Sequence, residues 1–306
     1  MQEKIGNVIL DDTYYPGEDL YSDGIIEDEL LEIAKKYKED ELNQVIAQRE
    51  QWAVLYHMSK IRGNIIEWIP MDKSEKVLEI GSGCGAITGT LSRKAKMVTC
   101  IELSRKRSMI NAYRNQSNNN IYVYMGNFAE IEKNLKEPFD IITLIGVFEY
   151  AQGYIEGQEP YIEFLNKIRS HLSEKGRIII AIENRLGLKY WAGCREDHTG
   201  GYFDGLEGYP LQGGVRTFSK KELEEIFKKC QLKAEFFYPY PDYKLPTAIY
   251  SDYRLPKVGE LSHNNQNFDR DRMKLFDEEK VYGTLIRDGL FPLFSNSYEV
   301  ILTKED

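Results

Sequence analysis

Three glycines at alternate positions, Gly81, Gly83 and Gly85, follow an apolar run at 76–80 and precede a helix-compatible segment at 86–95. No other feature constrains the fold as much. A short apolar run without polar alternation reads as a strand buried on both faces. Glycines at this spacing let the backbone turn tightly and pass close under a ligand, where a Cβ would collide. Glu79 stands two residues before the first glycine. A carboxylate there adds little to a phosphate site but suits a ligand that carries an ammonium group. A second apolar run, 97–101, ends in Glu102, 21 residues after Gly81. A carboxylate at the tip of a second strand accepts hydrogen bonds from both hydroxyls of a ribose.

Gly81, Gly83 and Ala86 also satisfy the loose form of a nicotinamide-dinucleotide fingerprint, with Glu102 at a compatible distance. Three features favour a different ligand: Glu79 itself, the 75 residues that precede the first strand of the loop motif, and a fourth strand ending in Gly146-Val147-Phe148-Glu149-Tyr150. With Met125-Gly126-Asn127-Phe128, the run at 139–150 and the run at 172–180, the chain resembles the class I S-adenosyl-L-methionine (SAM)-dependent methyltransferases over roughly residues 71–184. The resemblance implies an α/β, Rossmann-like fold: a seven-stranded, mostly parallel sheet with helices on both faces. It implies SAM as cofactor, held by Glu79, Gly81, Ser82, Gly83, Gly85, Glu102, Leu103, Asn127, Phe128, Gly146 and Val147, with Tyr56 closing over it from a preceding helix. Asn127 departs from the family, which usually has Asp there; an amide oxygen still accepts from an adenine amino group, without the charge.

Around this region the chain divides into an N-terminal helical cap, 1–70, and a methyltransferase domain, 71–306, with insertions at 185–217 and 251–296. Residues 1–24 are polar and read as irregular. Helical spacing runs through Ile26, Leu30, Ile33 and Ala34, then Trp52, Leu55 and Tyr56, then Ile65, Ile66 and Ile69. Strands are expected near 76–80, 97–101, 121–124, 139–145 and 177–182. Helices are expected near 86–95, 104–115, 128–135 and 160–171. Such alternation implies a parallel sheet. No periodic element fits the glycine-rich segment 185–217; at the C-terminal end of the fifth strand it reads as a substrate-recognition lid. Ser219 and Glu222 form a capping-box pattern for a helix at 220–230. Strands at 232–238 and 298–303 correspond to the family's closing antiparallel hairpin, here split by an insertion whose middle, 268–288, reads as helical.

Methyl transfer is a displacement at carbon, accelerated by holding both reactants in line. A base is needed only where the acceptor must lose a proton. His198 in the lid, Glu149 after the fourth strand and His57 in the cap are the candidates; an imidazole titrates near neutrality and suits the task. Each also has a bland reading, as a solvated loop histidine, a capping carboxylate or a packed helix residue. Asn184, Arg185, Tyr190, Trp191, Tyr202 and Tyr240 are candidate acceptor contacts, and Glu183 ends the same strand as Asn184. Tyrosine suits a surface apolar on one side and hydrogen-bonded on the other, as a sugar ring requires. Cys194 and His198 lack a second ligand pair, so no metal is expected. The phrases at 184–193 and 196–200 resemble methyltransferase modules of bacterial surface-polysaccharide clusters, which implies a glycan or nucleotide-sugar hydroxyl as acceptor. A peptide, protein or other small-molecule methyltransferase and a non-catalytic SAM-binding module are the alternatives.

Net charge is −9, a poor match for a nucleic-acid partner, whose phosphates call for a basic surface. The four cysteines, Cys84, Cys100, Cys194 and Cys230, show no pairing pattern and suit a reduced, cytoplasmic protein. No signal peptide and no membrane insertion are expected; a homodimer is left open.

Overall fold

The computed structural model describes residues 2–155, 157–210, 214–262 and 270–305. The chain divides into two compact units, one of residues 1–144 with 168–178 and one of 145–167 with 179–306.

In the first unit, β1 (Gln2–Ile5) and β2 (Val8–Tyr14) form an antiparallel pair, and β2 then runs parallel to β5 (Ile121–Gly126). The sequence suggested irregular structure here. Val8 and Leu10 supply the buried side of β2, but Asp11, Asp12 and Thr13 break the alternation. Asp11 is absorbed by hydrogen bonds from Thr13, Gln2 and Tyr122; these outweigh burial and lower its pKa to about 2. Strands β3 (Lys76–Ile80), β4 (Met97–Glu102), β5 and β6 (Phe139–Ile145) are parallel, and the ladder runs β1-β2-β5-β4-β3-β6, followed by the start of β7 (Leu172–Glu183). Val77, Leu78, Val98, Cys100, Val123, Ile141 and Ile142 form its interior.

The helical spacing of the N-terminal region resolves into α1 (Ile26–Lys36), α2 (Leu42–Arg49), α3 (Trp52–Met58), a 3-10 turn at Lys60–Gly63 and α4 (Asn64–Glu67). Leu30, Ile33, Leu42, Val45, Val54 and Met58 pack into one apolar cluster with Cys84 and with Ile110 of α6 (Arg105–Arg114). Helix α5 (Thr88–Lys94) leaves the glycine loop. Ser104 caps α6 by accepting from the Arg107 amide at 3.2 Å. The helix expected at 128–135 shrinks to α7 (Phe128–Ile131) and a 3-10 turn.

The second unit carries α8 (Ala151–Tyr154), most of α9 (Pro160–Ser170), α10 (Leu188–Trp191), α11 (Lys220–Lys229), β8 (Leu232–Tyr240), β9 (Ala248–Ser251), α12 (Glu278–Arg287), α13 (Phe291–Phe294) and β10 (Ser297–Lys304). Its ladder runs β7-β10-β8-β9. The antiparallel closing pair is present, with Val300 opposite Phe236, although 56 residues of the chain, 241–296, lie between the two strands. Strand β7 starts at Leu172, five residues before the expected 177, and its last part, from Ile179, belongs to this unit. The capping box of α11 forms as read: Ser219 Oγ accepts from the Glu222 amide and Glu222 Oε2 from the Ser219 amide. Helix α12 begins only at Glu278, capped by Asp277; residues 268 and 269 of the expected helix lie outside the described residues.

The class is thus α/β as expected, with ten strands among the described residues in place of seven. The three extra are β1, β2 and β9, short strands at the outer ends of the two ladders. All four cysteines are buried thiols outside any disulfide. No described helix is long and apolar enough to cross a membrane.

Candidate active site

In the first unit the glycine loop joins β3 to α5. Two positions show why glycine is needed. A Cβ at Gly85 (φ +76°) would stand 2.3 Å from Asn111 Oδ1, so its absence lets α6 lie against the loop. A Cβ at Gly83 (φ +50°) would meet nothing within 4 Å, so the loop faces open space at that point. Glu102 ties the loop down: the Gly83 amide donates to its Oε2 at 2.7 Å and the Ser104 amide to its Oε1 at 3.0 Å. Leu103 contributes its own backbone amide to the same carboxylate. Burial raises the pKa of Glu102 while the Arg107 charge and these amides oppose the rise. A carboxylate has about four lone-pair sites, so with three amides bound about one remains for a hydroxyl donor. Open space under the loop beside a buried acid fits the ribose of SAM.

Glu79 is fully buried, with Thr88 Oγ1 donating at 2.6 Å and the Cys100 thiol at 3.4 Å. Burial pushes its pKa up to about 7, and Glu102 adds repulsion. A nearby ammonium would favour the ionised form. Gly81 and Ser82 belong to the same loop. Asn127 accepts from the Ala129 amide at 2.9 Å, so part of its acceptor capacity caps α7, and Phe128 is buried behind it. Tyr56 stacks on Trp52 and lies under the Arg62 guanidinium, 3.9 Å from ring centroid to Cζ. His57 Nε2 is 3.0 Å from Asp23 Oδ2, and burial lowers its pKa against that pull.

Gly146 and Val147 belong to the second unit, directly after β6, as do Glu149 and His198. Here the structure gathers groups that lie far apart in the sequence. Glu149 is 1% exposed and Glu183, at the end of β7, is wholly buried. His198 Nε2 stands 3.7 Å from Glu183 Oε2 and 3.9 Å from Glu149 Oε1, and its Nδ1 is 3.1 Å from the Tyr150 hydroxyl. Lys244 Nζ bridges Glu183 Oε1 and Asp197 Oδ2, each at 2.8 Å. Lys189 Nζ is 3.1 Å from Asp197 and 3.7 Å from Asp242.

The two glutamates are driven to opposite states. Burial and the Glu183 charge push Glu149 up to about 8, and among the described residues no other residue hydrogen-bonds its carboxyl oxygens. Glu183 is equally buried, yet Lys244 and His198 hold it well below the usual carboxylate range. Burial pulls His198 down, but Glu183 and Glu149 outweigh it and the net shift is upward. Carboxylates pushed apart in this way have the protonation states that acid–base chemistry requires. Glu149, Glu183 and His198 also bring ligand atoms within 4.8 Å of one another, as a metal ion would need. The Lys244 ammonium already supplies a positive charge to Glu183.

The candidate acceptor contacts divide. The Asn184 amide donates to the Leu293 and Ser295 carbonyls and accepts from the Leu186 amide, so its side chain is used in holding a turn. Arg185 pairs with Glu222 at 2.7 Å and donates to the Gly205 carbonyl. Tyr240 is buried, edge-on to Tyr282. Tyr190 is fully buried, and among the described residues its hydroxyl has no hydrogen-bond partner. Trp191 is 44% exposed, and Tyr202 stacks under Arg195 at 4.1 Å. Sequence reasoning missed Tyr150, Lys189, Asp242 and Lys244. Asp242 and Lys244 flank Tyr243, the last tyrosine of the aromatic run after β8; a charge pair at a strand's end was the available signal.

The chain is similar to several known proteins. "Ribosomal RNA small subunit methyltransferase A" of Borreliella burgdorferi is 34% identical over 98 residues, 32% of this chain and 35% of that protein. The probable enzyme of the same name from Pyrococcus abyssi is 41% identical over 68 residues, 22% and 24% of the two chains. The chain thus spans about a third or less of the length of these curated relatives. A SAM-dependent methyltransferase structure from Archaeoglobus fulgidus aligns at 15% identity with a TM-score of 0.48, over 83% of this chain and 100% of that one. The profile of a family described as "Methyltransferase domain" matches residues 47–235, from α2 through the glycine loop to β8. That is well over half of the sequence, so the chain belongs to the methyltransferase-domain family.

Proposed function

We propose that this enzyme methylates a hydroxyl oxygen of a small polar acceptor, a glycan or nucleotide-sugar, with His198 as the base. When bound, SAM supplies a methyl group on a sulfonium that is already a good leaving group. What the chain must add is a place for the acceptor and for its proton. The observation that carries the reading is the buried imidazole between a neutral and an ionised carboxylate. Neutral His198 takes the hydroxyl proton, and Glu183 stabilises the imidazolium. Tyr150 holds the ring through Nδ1 and leaves Nε2 on the side of the two carboxylates. An acceptor without a proton to lose would need none of this. The sugar preference rests on the exposed Trp191, on Tyr202 and on the likeness of the 184–200 segment to polysaccharide-cluster methyltransferases.

A second reading, methylation of RNA, is favoured by the names of the curated relatives. The net charge of −9 counts against it. Radiolabelled methyl-SAM offered in parallel to UDP-, GDP- and dTDP-sugars, bacterial polysaccharide and 16S rRNA separates the two. Alkali-stable label in a sugar fraction is expected. Label in rRNA alone would favour the second reading, and alkali-labile label would reveal a carboxylate acceptor.

The donor site carries its own prediction. Glu102→Ala removes the acceptor for a ribose hydroxyl, a charge-assisted bond worth roughly 1.5–3 kcal/mol. Affinity for S-adenosylhomocysteine should fall at least about tenfold by calorimetry. An unchanged dissociation constant would place the ribose on another residue.

A further inference from the structure

His198, Glu149 and Glu183 face one another without bonding. His198 Nε2 is 3.7 Å from Glu183 Oε2 and 3.9 Å from Glu149 Oε1, beyond hydrogen-bond length. Glu149 is 1% exposed, yet among the described residues no other residue hydrogen-bonds its oxygens or the Nε2 of His198. Buried polar atoms left in that state point to a partner from outside the chain.

The ligand atoms of the three residues lie within 4.8 Å of one another. Nitrogen and oxygen ligands about 2.1 Å from a tetrahedral zinc ion stand about 3.4 Å apart. Both distances from the imidazole therefore need only a small contraction. Glu149, whose carboxyl no other described residue holds, is the ligand free to turn and supply it. Cys194, the neighbour that the sequence offers His198, is not among the three.

The surroundings suit an ion in two further ways. A metal-bound histidine engages its second ring nitrogen elsewhere, and His198 Nδ1 lies 3.1 Å from the Tyr150 hydroxyl. Charge is also balanced. Lys189 and Lys244 both reach Asp197, and Lys189 reaches Asp242 as well. Two lysines set against two aspartates leave the two glutamates for a dication. Glu183 serves both sides, with Oε1 on Lys244 and Oε2 toward the imidazole. An imidazole among carboxylates suits zinc, whereas magnesium prefers oxygen ligands and keeps its waters.

We propose that Glu149, Glu183 and His198 form a zinc site, and that zinc bound there blocks methyl transfer. The blocking half rests on the reading of His198 as the base. The Nε2 lone pair cannot hold zinc and take the acceptor proton at once.

Zinc titrated against a chromophoric chelator, with S-adenosylhomocysteine present, should bind at one ion per chain. His198→Ala and Glu149→Gln should each weaken binding at least about tenfold. His171→Asn, which alters the histidine beside Glu132, should leave it unchanged. X-ray absorption of the bound zinc should show nitrogen and oxygen ligands only. Saturating zinc should stop methyl transfer, and a chelator should restore it. A wild-type chain that takes up no stoichiometric zinc overturns the proposal, whether or not the variants fold, and leaves the base reading standing. So does a sulfur ligand in the zinc spectrum, or an affinity that survives both variants. Zinc held by these residues with transfer at the full rate would instead sink the blocking half and, with it, His198 as the base.

Discussion

His198→Ala should slow methyl transfer by about 10²–10⁴-fold, the usual contribution of a positioned general base. Affinity for S-adenosylhomocysteine should stay within about twofold, because the polar contacts of His198 are Tyr150, Glu149 and Glu183 rather than the residues of the glycine loop. Single-turnover rates and calorimetry on one preparation read both. The pH profile adds a sharper check. Only neutral imidazole can accept a proton, so the rate should rise with pH through the histidine pKa. Glu183 and Glu149 raise that value against the pull of burial, so the midpoint should lie above the ordinary value of about 6.5. Glu183→Gln, which removes the charge that stabilises the imidazolium, should move the midpoint down. A flat profile with His198→Ala near the wild-type rate would eliminate the base and, with it, the hydroxyl acceptor.

Lys244→Met should cost roughly 3–5 kcal/mol of folding stability at pH 7, the range for breaking a buried ion pair by removing one partner. Lys244 joins Glu183 and Asp197 at 2.8 Å each, and Glu183 has no exposure to water with which to replace the lost charge. The folded-state pKa of Glu183 is depressed, so its stabilising contribution is present above the unfolded value near 4.3 and is lost as pH falls through the folded one. The deficit of the variant should therefore be large at pH 7 and shrink as the pH is taken below about 4. Urea unfolding at the two pH values measures it. A deficit under about 1 kcal/mol at pH 7 would class the bridge with weak surface pairs.

Much of the scaffold follows from local chemistry. The apolar runs at 76–80, 97–101 and 139–145 form parallel strands because residues that are apolar on both faces can be satisfied only inside a covered sheet. Ser219 and Glu222 cap α11 because both halves of a capping box lie within one turn of each other. The strands β1 and β2 were hidden for the opposite reason. Asp11 and Thr13 look like loop residues until Gln2 and Tyr122, nine and 111 positions away, bond to Asp11. Helix α7 is shorter than its pattern suggested, and α12 starts later than the periodicity implied.

The donor site and the base cluster contrast in the same way. The sequence by itself determined the glycine turn, the acid at the tip of β4 and hence the class of ligand, because those residues act through backbone geometry within some 25 positions of one another. It also singled out His198 and Glu149 by type. Only the tertiary structure decided what they are chemically. Lys244 comes from 61 positions beyond Glu183 to hold that acid ionised, and Glu183 in turn forces Glu149, 34 positions before it, toward the neutral form. Protonation states depend on burial and on charges a few ångströms away, and those distances exist only once the chain has folded.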